Sequence, residues 1–586
     1  MSPSLLTLLS IYIVLIALPF IHGDDIKSYD VVVYDASSGG VTAAVSSSRK
    51  GHRTAILCAS YPSCFKVGGK RVGGMSSGGL GQTDIGPTYP FIGGIALEFY
   101  QRNRKHYNRL FIANTTVINS GSSQCRLPSR KCNVTFNVEP HVARSIYENM
   151  LNESGVDIFY AASAIKVSKT RNQTINTITT INNLTFSAKL FIDASYEGDL
   201  MALANVSYAI GRESQSEYNE SLAGHRMQAK SHQFEMKVNP FDDNGLPLPF
   251  TTLPNLELKQ GDADNLVQSY NFRLCVTTNK TNTAPFVKPT NYDASKYLLL
   301  QRYLMACSSS DRISNNNMEG GVCQLGFPSC NTAELPNGKF DMNNCGPFSS
   351  DFIGGSKHYP DASFNQRKRI WQNHLQYQQG LLYYLRYDPN VPLHYQNQMK
   401  SWGLCKDEFQ DNLLAKHWPP SLYVRAARRL VGDHIFTQNS PQEQKNIGGI
   451  GNLSIAIGGY NFDSHNAERL ACHNSSVCCG QSPKNVSINY AWNEGDVETS
   501  PGIYQIPLWI MFPKISEATN LLVVATPSAS HIGMSTLRME PQFMMIGHAA
   551  GTVASIAIQS NIDAVQNINE DTMKSMLEEE GMILEV

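Results

Sequence analysis

The stretch from Tyr29 to Cys58, YDVVVYDASSGGVTAAVSSSRKGHRTAILC, constrains this chain more than any other. Val31-Val32-Val33-Tyr34 is a short apolar run of the kind buried in a parallel sheet. Asp35 to Gly40 is a turn of small residues. Val41 to Lys50 has helical composition, Gly51 can end that helix, and Thr54 to Cys58 reads as a second strand. Strand, tight turn, helix, strand is a βαβ unit, which points to an α/β fold. In such units a dinucleotide's pyrophosphate rests on the N-terminus of the first helix.

Against Gly-x-Gly-x-x-Gly the chain offers Asp35, Ser37 and Gly40. Gly40 lets helix and strand pack closely, and Ala44 falls where a small residue is wanted. Ser37 is small enough for backbone to approach phosphate. Asp35 tolerates an unusual turn conformation, but its charge sits poorly beside a pyrophosphate. The ribose-binding acid expected at the end of the second strand is missing; Cys58 or Ala59 stands there. Taken alone, the stretch fits a nucleotide site or a plain buried βαβ unit.

At 586 residues the chain is long enough for two or more domains with sizeable cores. Its formal charge of -1, with no long run of one sign, argues against a dedicated nucleic-acid surface. Two short basic clusters, Arg49/Lys50/Arg53 and Arg425/Arg428/Arg429, read as solvated helix faces, with Arg425 and Arg429, at i and i+4 of an expected helix, reading also as a salt-bridged scaffold.

Leu5 to Phe20 is apolar and uncharged, and reads as a secretory signal peptide over residues 1–23, cut near Asp24. A retained anchor is the alternative, but the run is short for a ~20-residue span. No second membrane-length run follows, so no stable span is expected after cleavage. Sequons occur at Asn114, Asn133, Asn152, Asn172, Asn183, Asn205, Asn219, Asn279, Asn452, Asn474 and Asn485. Of thirteen cysteines, Cys125/Cys132, Cys323/Cys330 and Cys472/Cys478/Cys479 lie in polar, loop-like sequence, as disulfide partners would. Zinc is the rival, but no Cys-x-x-Cys pair recurs at finger spacing. Cys58, inside an apolar strand, reads as a buried free thiol. Together these features predict a secreted protein or one in a lysosomal or other endomembrane lumen.

Further on, Lys66 to Pro87 is glycine-rich, and Met75, Leu80 and Ile85 mark it as packed rather than a linker. Ile95–Leu110 and Glu139–Leu151 are helical in pattern, Gly155–Tyr160 is a strand, and Ile165–Leu190 alternates as an antiparallel meander. From about residue 228 to 494 the content of Pro, Asn, Cys and aromatics rises, with helices expected at Ala294–Met305, Gln366–Leu385 and Lys406–Val431. Nucleotide-domain character then returns. It brings a strand at Leu521–Ala525, a loop through His531 and Arg538, and a small-residue helix over Pro541–Ala557.

The segments YDVVVYDASSGGVTAA, VGGMSSGGLGQTDIG, EPHVAR, FIDASYEGDL, YNFRLCVT, WGLCKDEF, YVRAARRLVGD, IPLWIMFPK and SHIGMSTLRMEPQFMMIGHAAGT run in order from about Tyr29 to Thr552. Together they resemble the secreted and bacterial FAD-dependent oxidoreductases related to the fumarate reductase and glutathione reductase flavoproteins. The resemblance implies an α/β fold: a Rossmann-like FAD-binding domain, parallel sheet plus antiparallel β-meander, with an inserted mixed α+β substrate or cap domain. The implied division is 28–227 and 495–575 for the FAD-binding domain and 228–494 for the insertion.

The resemblance also assigns roles. The first turn, Ser37, Ser38, Gly39 and Gly40, would hold the FAD pyrophosphate. Gly73, Gly74, Met75 and Ser76 would wrap it and reach the flavin ring, with backbone N–H groups forming a nest. Ala194 and Gly198 would permit close approach to the nucleotide. The last helix would aim its N-terminus at the flavin's pyrimidine edge, where its dipole stabilises negative charge. In that helix Gly547, Ala549, Ala550 and Gly551 would pack tightly against the sheet.

A flavin supplies redox chemistry, so the protein must position a substrate and handle a proton. Arg suits carboxylates. Arg538 and His531 precede the flavin-facing helix, and Arg273 in YNFRLC has packing neighbours; these three are the candidate catalytic residues. Glu540 is the local rival partner for Arg538. His465, in FDSH, reads as an acid, a base or a satisfied structural histidine. The expected function is hydride transfer between FAD and a small organic molecule, an anionic one being what the arginines suit; the sequence does not name an electron acceptor. The alternative is a degenerate flavoprotein fold kept as a binding or structural glycoprotein.

Overall fold

Strand β1 (Lys27–Tyr34) lies parallel to β2 (Thr54–Leu57), with Val31 opposite Thr54 and Tyr34 opposite Leu57. Helix α1 (Ser38–Arg49) crosses between them. Ser37 starts it, its hydroxyl accepting the Gly40 N–H at 3.1 Å, as an N-cap should. The computed structural model describes residues 26–108, 125–127, 132–227, 231–308, 332–447, 453–473 and 489–586. The signal-peptide reading therefore lies outside the described residues. So do Cys323, Cys330, Cys478, Cys479 and the sequons at Asn114, Asn452, Asn474 and Asn485.

The sheet extends to β3 (Asp157–Phe159) on one side of β1. On the other it runs through β4 (Ala164–Lys169), β5 (Ile175–Thr180) and β6 (Thr185–Asp193), in the order β3-β2-β1-β6-β5-β4. Strands β4 to β6 form the antiparallel meander, while β6 is parallel to β1. Leu521–Val523 adds a parallel strand against the end of β6, Leu521 opposite Phe191. This is a Rossmann-like α/β fold: a parallel sheet joined to a meander.

The helix Glu540–Gln559 is buried from Glu540 to Ala557. It crosses α1 so closely that a Cβ on Gly547 would lie 2.0 Å from the Gly39 carbonyl oxygen. A larger residue would push the helices apart and forfeit dispersion contacts along the crossing. A five-stranded antiparallel sheet forms elsewhere, ordered Thr332–Leu335, Lys339–Met342, Leu274–Thr277, Gly403–Cys405 and Thr283–Ala284. The helix Phe364–Tyr387, opened by a Ser363–Gln366 capping box, shares an aromatic core with it that includes Phe272, Tyr303, Trp371 and Tyr384.

Several expectations are corrected. No helix forms over Lys406–Val431; the segment is irregular and ends in the short strand Arg429–Leu430. Pro419 and Pro420 interrupt the helical pattern there. Arg425, Arg428 and Arg429 are buried in ion pairs, which is the salt-bridged scaffold reading of Arg425 and Arg429 and not the solvated helix face. His531–Leu537 is a short helix rather than loop, capped by the Ser530 hydroxyl on the Gly533 N–H. Cys58 is no free thiol: it is bonded to Cys64. Cys125–Cys132 and Cys275–Cys405 are also disulfides, and Cys307 and Cys345 are disulfide-bonded. Among the described residues no helix is long and apolar enough to cross a membrane.

Candidate active site

The carboxyl ends of β1, β2 and β6 open onto a cavity of about 300 Å³ lined by Tyr34, Ala59, Ser60, Ser195, Glu197 and Trp371 among others. That volume is at the lower end for small-molecule sites. A recess of about 30 Å³ shares Ser60, Tyr61, Glu197 and Tyr359 with it and adds Asp35, Ala36, Gly74, Met75 and Tyr196. In open α/β sheets ligands bind at this edge, beside the first helix's N-terminus.

The turn is tightly tied. The Ser37 hydroxyl donates to the Ala194 carbonyl at 2.7 Å, joining the start of α1 to the end of β6. A Cβ on Gly40 would lie 2.1 Å from the Asp35 carbonyl oxygen, so the fingerprint's last glycine is required by contact. Ser38 and Gly39 begin α1, where backbone N–H groups have no partner within the helix.

Asp35 does not face the helix N-terminus. Its backbone is left-handed at φ 71. Its carboxylate accepts the N–H groups of Ala59 (3.1 Å) and Ser60 (3.2 Å) and the Ser60 hydroxyl (2.7 Å). The glycine-rich nest is also partly spent. Gly73 and Gly74 N–H both donate to the Ala36 carbonyl, at 2.7 and 3.2 Å, and Met75 N–H donates to the Tyr196 hydroxyl at 3.1 Å. The Ser76 hydroxyl donates to Glu540 at 3.3 Å. Gly198, at φ 67, is the N-cap of the helix Asp199–Leu203.

Glu540 opens the last long helix. Burial pushes its carboxyl up to about 7, against the hydroxyls of Ser38, Tyr196 and Ser76. It is not the partner of Arg538. Arg538 instead donates to the Tyr423 hydroxyl (2.9 Å) and to the carbonyl (2.8 Å) and carboxylate (2.7 Å) of Asp463. Arg425 meets Asp351 at 3.0 Å. His465 lies between, 2.7 Å from Asp351 and 3.6 Å from Asp463. Burial and Arg425 push the His465 pKa down, but Asp463 and Asp351 outweigh them and raise it. Burial opposes ionisation of Asp463, yet His465 and Arg538 hold its carboxyl well below the usual range. Arg425, Arg273 and Arg538 all face the Tyr423 ring, at 4.7, 5.8 and 5.9 Å from its centroid.

Of the three sequence-predicted catalytic residues, only Arg538 belongs to this alternating chain. Arg273 touches the same tyrosine but forks onto Asp341 at 3.0 and 2.6 Å. His531 bonds Glu213 at 2.8 Å through Nδ1, and Glu213 also holds Arg429 at 2.5 Å. Burial lowers the His531 pKa, against Glu213. His531 and His465 do line one small cavity, of about 20 Å³. Sequence reasoning missed Tyr423, Asp351 and Asp463; YVRAARR and FDSH carry two of them, but only the fold pairs them.

This sheet edge, with its capped helix, close-packed turn and cavity, defines a dinucleotide-binding α/β protein. The chain belongs to the FAD-dependent oxidoreductases: that family's profile, described as FAD dependent oxidoreductase, matches residues 30–577. Its cofactor is FAD, and the N-terminal N–H groups of α1, which lack partners within the helix, fit its pyrophosphate. No curated protein matches the chain. Among solved structures it is similar to a geranylgeranyl bacteriochlorophyll reductase-like protein from Thermoplasma acidophilum, at 10% identity over 95% of this chain and 85% of that one, TM-score 0.31. L-proline dehydrogenase from P. horikoshii is 12% identical over 32% of this chain and 59% of its own, TM-score 0.22. GidA from Aquifex aeolicus is 15% identical, TM-score 0.18, over 28% of this chain and only a quarter (25%) of its own length. At such scores these likenesses carry no argument beyond the family match.

Proposed function

We propose that this oxidoreductase acts on a small organic, anionic substrate by hydride transfer to or from FAD. The observation that carries the reading is the chain Arg425–Asp351–His465–Asp463–Arg538 built around Tyr423, directly ahead of the helix that begins at Glu540. Bound FAD supplies the hydride acceptor or donor. Arg538 holds the anionic group beside Tyr423. His465, kept basic by two carboxylates, exchanges the substrate's proton. Arg273, forked onto Asp341, and His531, bonded to Glu213, are assigned framework roles. The test is anaerobic bleaching of the flavin absorbance by a panel of small hydroxy and amino acids; no bleaching by any anionic compound, with bleaching by neutral ones, rejects the anionic substrate.

A second reading, a flavoprotein fold kept for binding, is favoured by the small recess at Tyr196 and by the nest donors spent on Ala36. Purified protein free of FAD after expression with ample flavin would favour it.

The protein is further proposed to be secreted or lumenal. The disulfides support this, as do the exposed sequon asparagines Asn152, Asn172, Asn183, Asn205, Asn219 and Asn279. Mass spectrometry of the native protein should find a start near Asp24 and glycan on several of them; an unglycosylated, reduced protein refutes it.

A further inference from the structure

The helix Phe364–Tyr387 carries Asn373, Gln376, Tyr377 and Gly380 at i, i+3, i+4 and i+7, which places them on one stripe. All four line a cleft of about 140 Å³ that shares no lining residue with the cavity at the ends of β1, β2 and β6. Its inner wall is aromatic: Tyr297 and Tyr377 are buried, Phe250 and Phe352 half-buried. Its rim is polar, with Asn291, Asn373 and Gln376 exposed.

The wall is held against local preference. Phe250 has left-handed backbone, φ 65, which a bulky residue adopts only where its surroundings impose it. Its ring meets Phe352 at 5.4 Å and Tyr377 at 5.0 Å, both edge-on. Gly380 stands in a helix interior, where glycine is a poor helix former. A Cβ there would lie 2.2 Å from the Tyr297 hydroxyl, which donates to the Tyr377 carbonyl at 2.9 Å. Two locally unfavourable residues thus keep one aromatic wall in place.

The rim is unbonded. Among the described residues the side-chain amides of Asn291, Asn373 and Gln376 make no hydrogen bond. Each offers a carbonyl acceptor beside N–H donors. The charged lining residues are Asp293 and Lys296, one of each sign, so the cleft carries no net charge. Asp293 is already engaged as a helix cap, accepting the Ser295 N–H at 3.0 Å.

We propose that this cleft binds one neutral sugar ring, free or at the end of a glycan. The inference goes beyond the flavin reading and does not depend on it. The apolar C–H face of a pyranose covers aromatic rings, while its hydroxyls donate and accept, as the side-chain amides do. An apolar cavity of about 150 Å³ accepts a benzene-sized ring, so this volume suits one six-membered ring. An anion would find no surplus of positive charge. A plain aromatic ligand would leave the three amides unused.

The experiment adds a panel of neutral hexoses, N-acetylhexosamines and their methyl glycosides to the purified full-length protein, with phenol as the aromatic control. Saturation-transfer NMR detects binding, and calorimetry gives Kd. At least one sugar should bind with Kd near ~1 mM. The exposed, unbonded side chains can be removed without disturbing the fold, so Asn373→Ala/Gln376→Ala should keep its FAD content and stability. It should bind that sugar about tenfold more weakly, the value of two neutral hydrogen bonds. Binding of the methyl glycoside as well as the free sugar marks a glycan end, and binding of the free sugar alone a monosaccharide; both support the proposal. No sugar binding below about 10 mM overturns it. So does wild-type affinity in the double variant, or phenol bound as tightly as the best sugar.

Discussion

The Tyr196 hydroxyl donates to the Glu540 carboxylate across 2.8 Å, joining the turn after β6 to the first turn of the longest buried helix. The same hydroxyl accepts the Met75 N–H, so one phenol ties three distant segments together. Glu540 needs such donors because, among the described residues, no cation offsets its burial.

Glu540 should make the protein less stable as pH rises. Its folded pKa of about 7 lies above the ordinary 4.5. Below the ordinary value both states are protonated and burial costs nothing; the cost grows between the two values and is complete above the folded one. Glu540→Gln removes the ionisable group while keeping an acceptor for Tyr196. Its stability relative to wild type should therefore improve by roughly 2–3 kcal/mol from pH 5 to pH 8 in FAD-free protein. Urea melts at the two pH values measure it; a gap that does not change with pH rejects the raised carboxyl.

Arg538 is held by Asp463 and Tyr423 rather than by its neighbour Glu540. Arg538→Ala leaves buried Asp463 with His465 as its one charged partner among the described contacts and should cost about 3 kcal/mol of stability. Arg538→Lys keeps the charge but cannot fork, so it should stay folded yet reduce flavin with substrate about a hundredfold more slowly. Stopped-flow reduction at matched FAD content checks this. A wild-type rate in Arg538→Lys removes the residue from the substrate site.

The two disulfides with the most different loops should differ in worth. Cys58–Cys64 closes a loop of sequence separation 6, and Cys275–Cys405 one of separation 130. Loop-closure entropy makes these worth about 2 and about 5 kcal/mol respectively. Paired Cys→Ser variants, melted side by side, should show the larger loss for the longer loop. The Cys58/Cys64 variant should in addition loosen FAD, because Ser60, Tyr61, Ser63 and Cys64 form the recess wall.

Lys339 occupies the middle of an acidic group. Its ammonium is 2.7 Å from Glu139, 2.8 Å from Asp407 and 2.9 Å from Glu408, while His141 approaches Glu408 at 2.6 Å. The place a metal would take among Glu139, His141 and Glu408 is thus already filled by a cation of the chain itself. Lys339→Met should cost about 3–5 kcal/mol, because the buried Glu139 and Glu408 carboxylates lose their shared cation. Urea melts of the variant beside wild type measure it, and a loss below about 1 kcal/mol would reject the account.

Much of the architecture was legible in the sequence because it depends on local periodicity. The run Val31–Tyr34, the small-residue turn Asp35–Gly40, the alternation over Ile165–Leu190 and the small-residue face of the last helix each announce their element over a few residues. Their order along the chain then specifies the parallel sheet, its meander and the FAD-binding family. The failures are equally local in cause. Lys406–Val431 has helix-like composition, but its arginines satisfy carboxylates on other segments and its prolines break the turn. Cys58 looked like a core thiol because its partner six residues on sits in polar sequence.

What only the tertiary structure decided is where each charge points. Sequence alone places Asp35 at the wrong fingerprint position and Arg538 next to Glu540. The fold turns Asp35 onto the end of β2, gives Glu540 to Tyr196, and gives Arg538 to Asp463, a residue 75 positions away. Element identity is a short-range property of backbone and side-chain pattern. Pairing of buried charges is a long-range one, because a group removed from water must find its counter-charge or donors wherever the packed chain brings them.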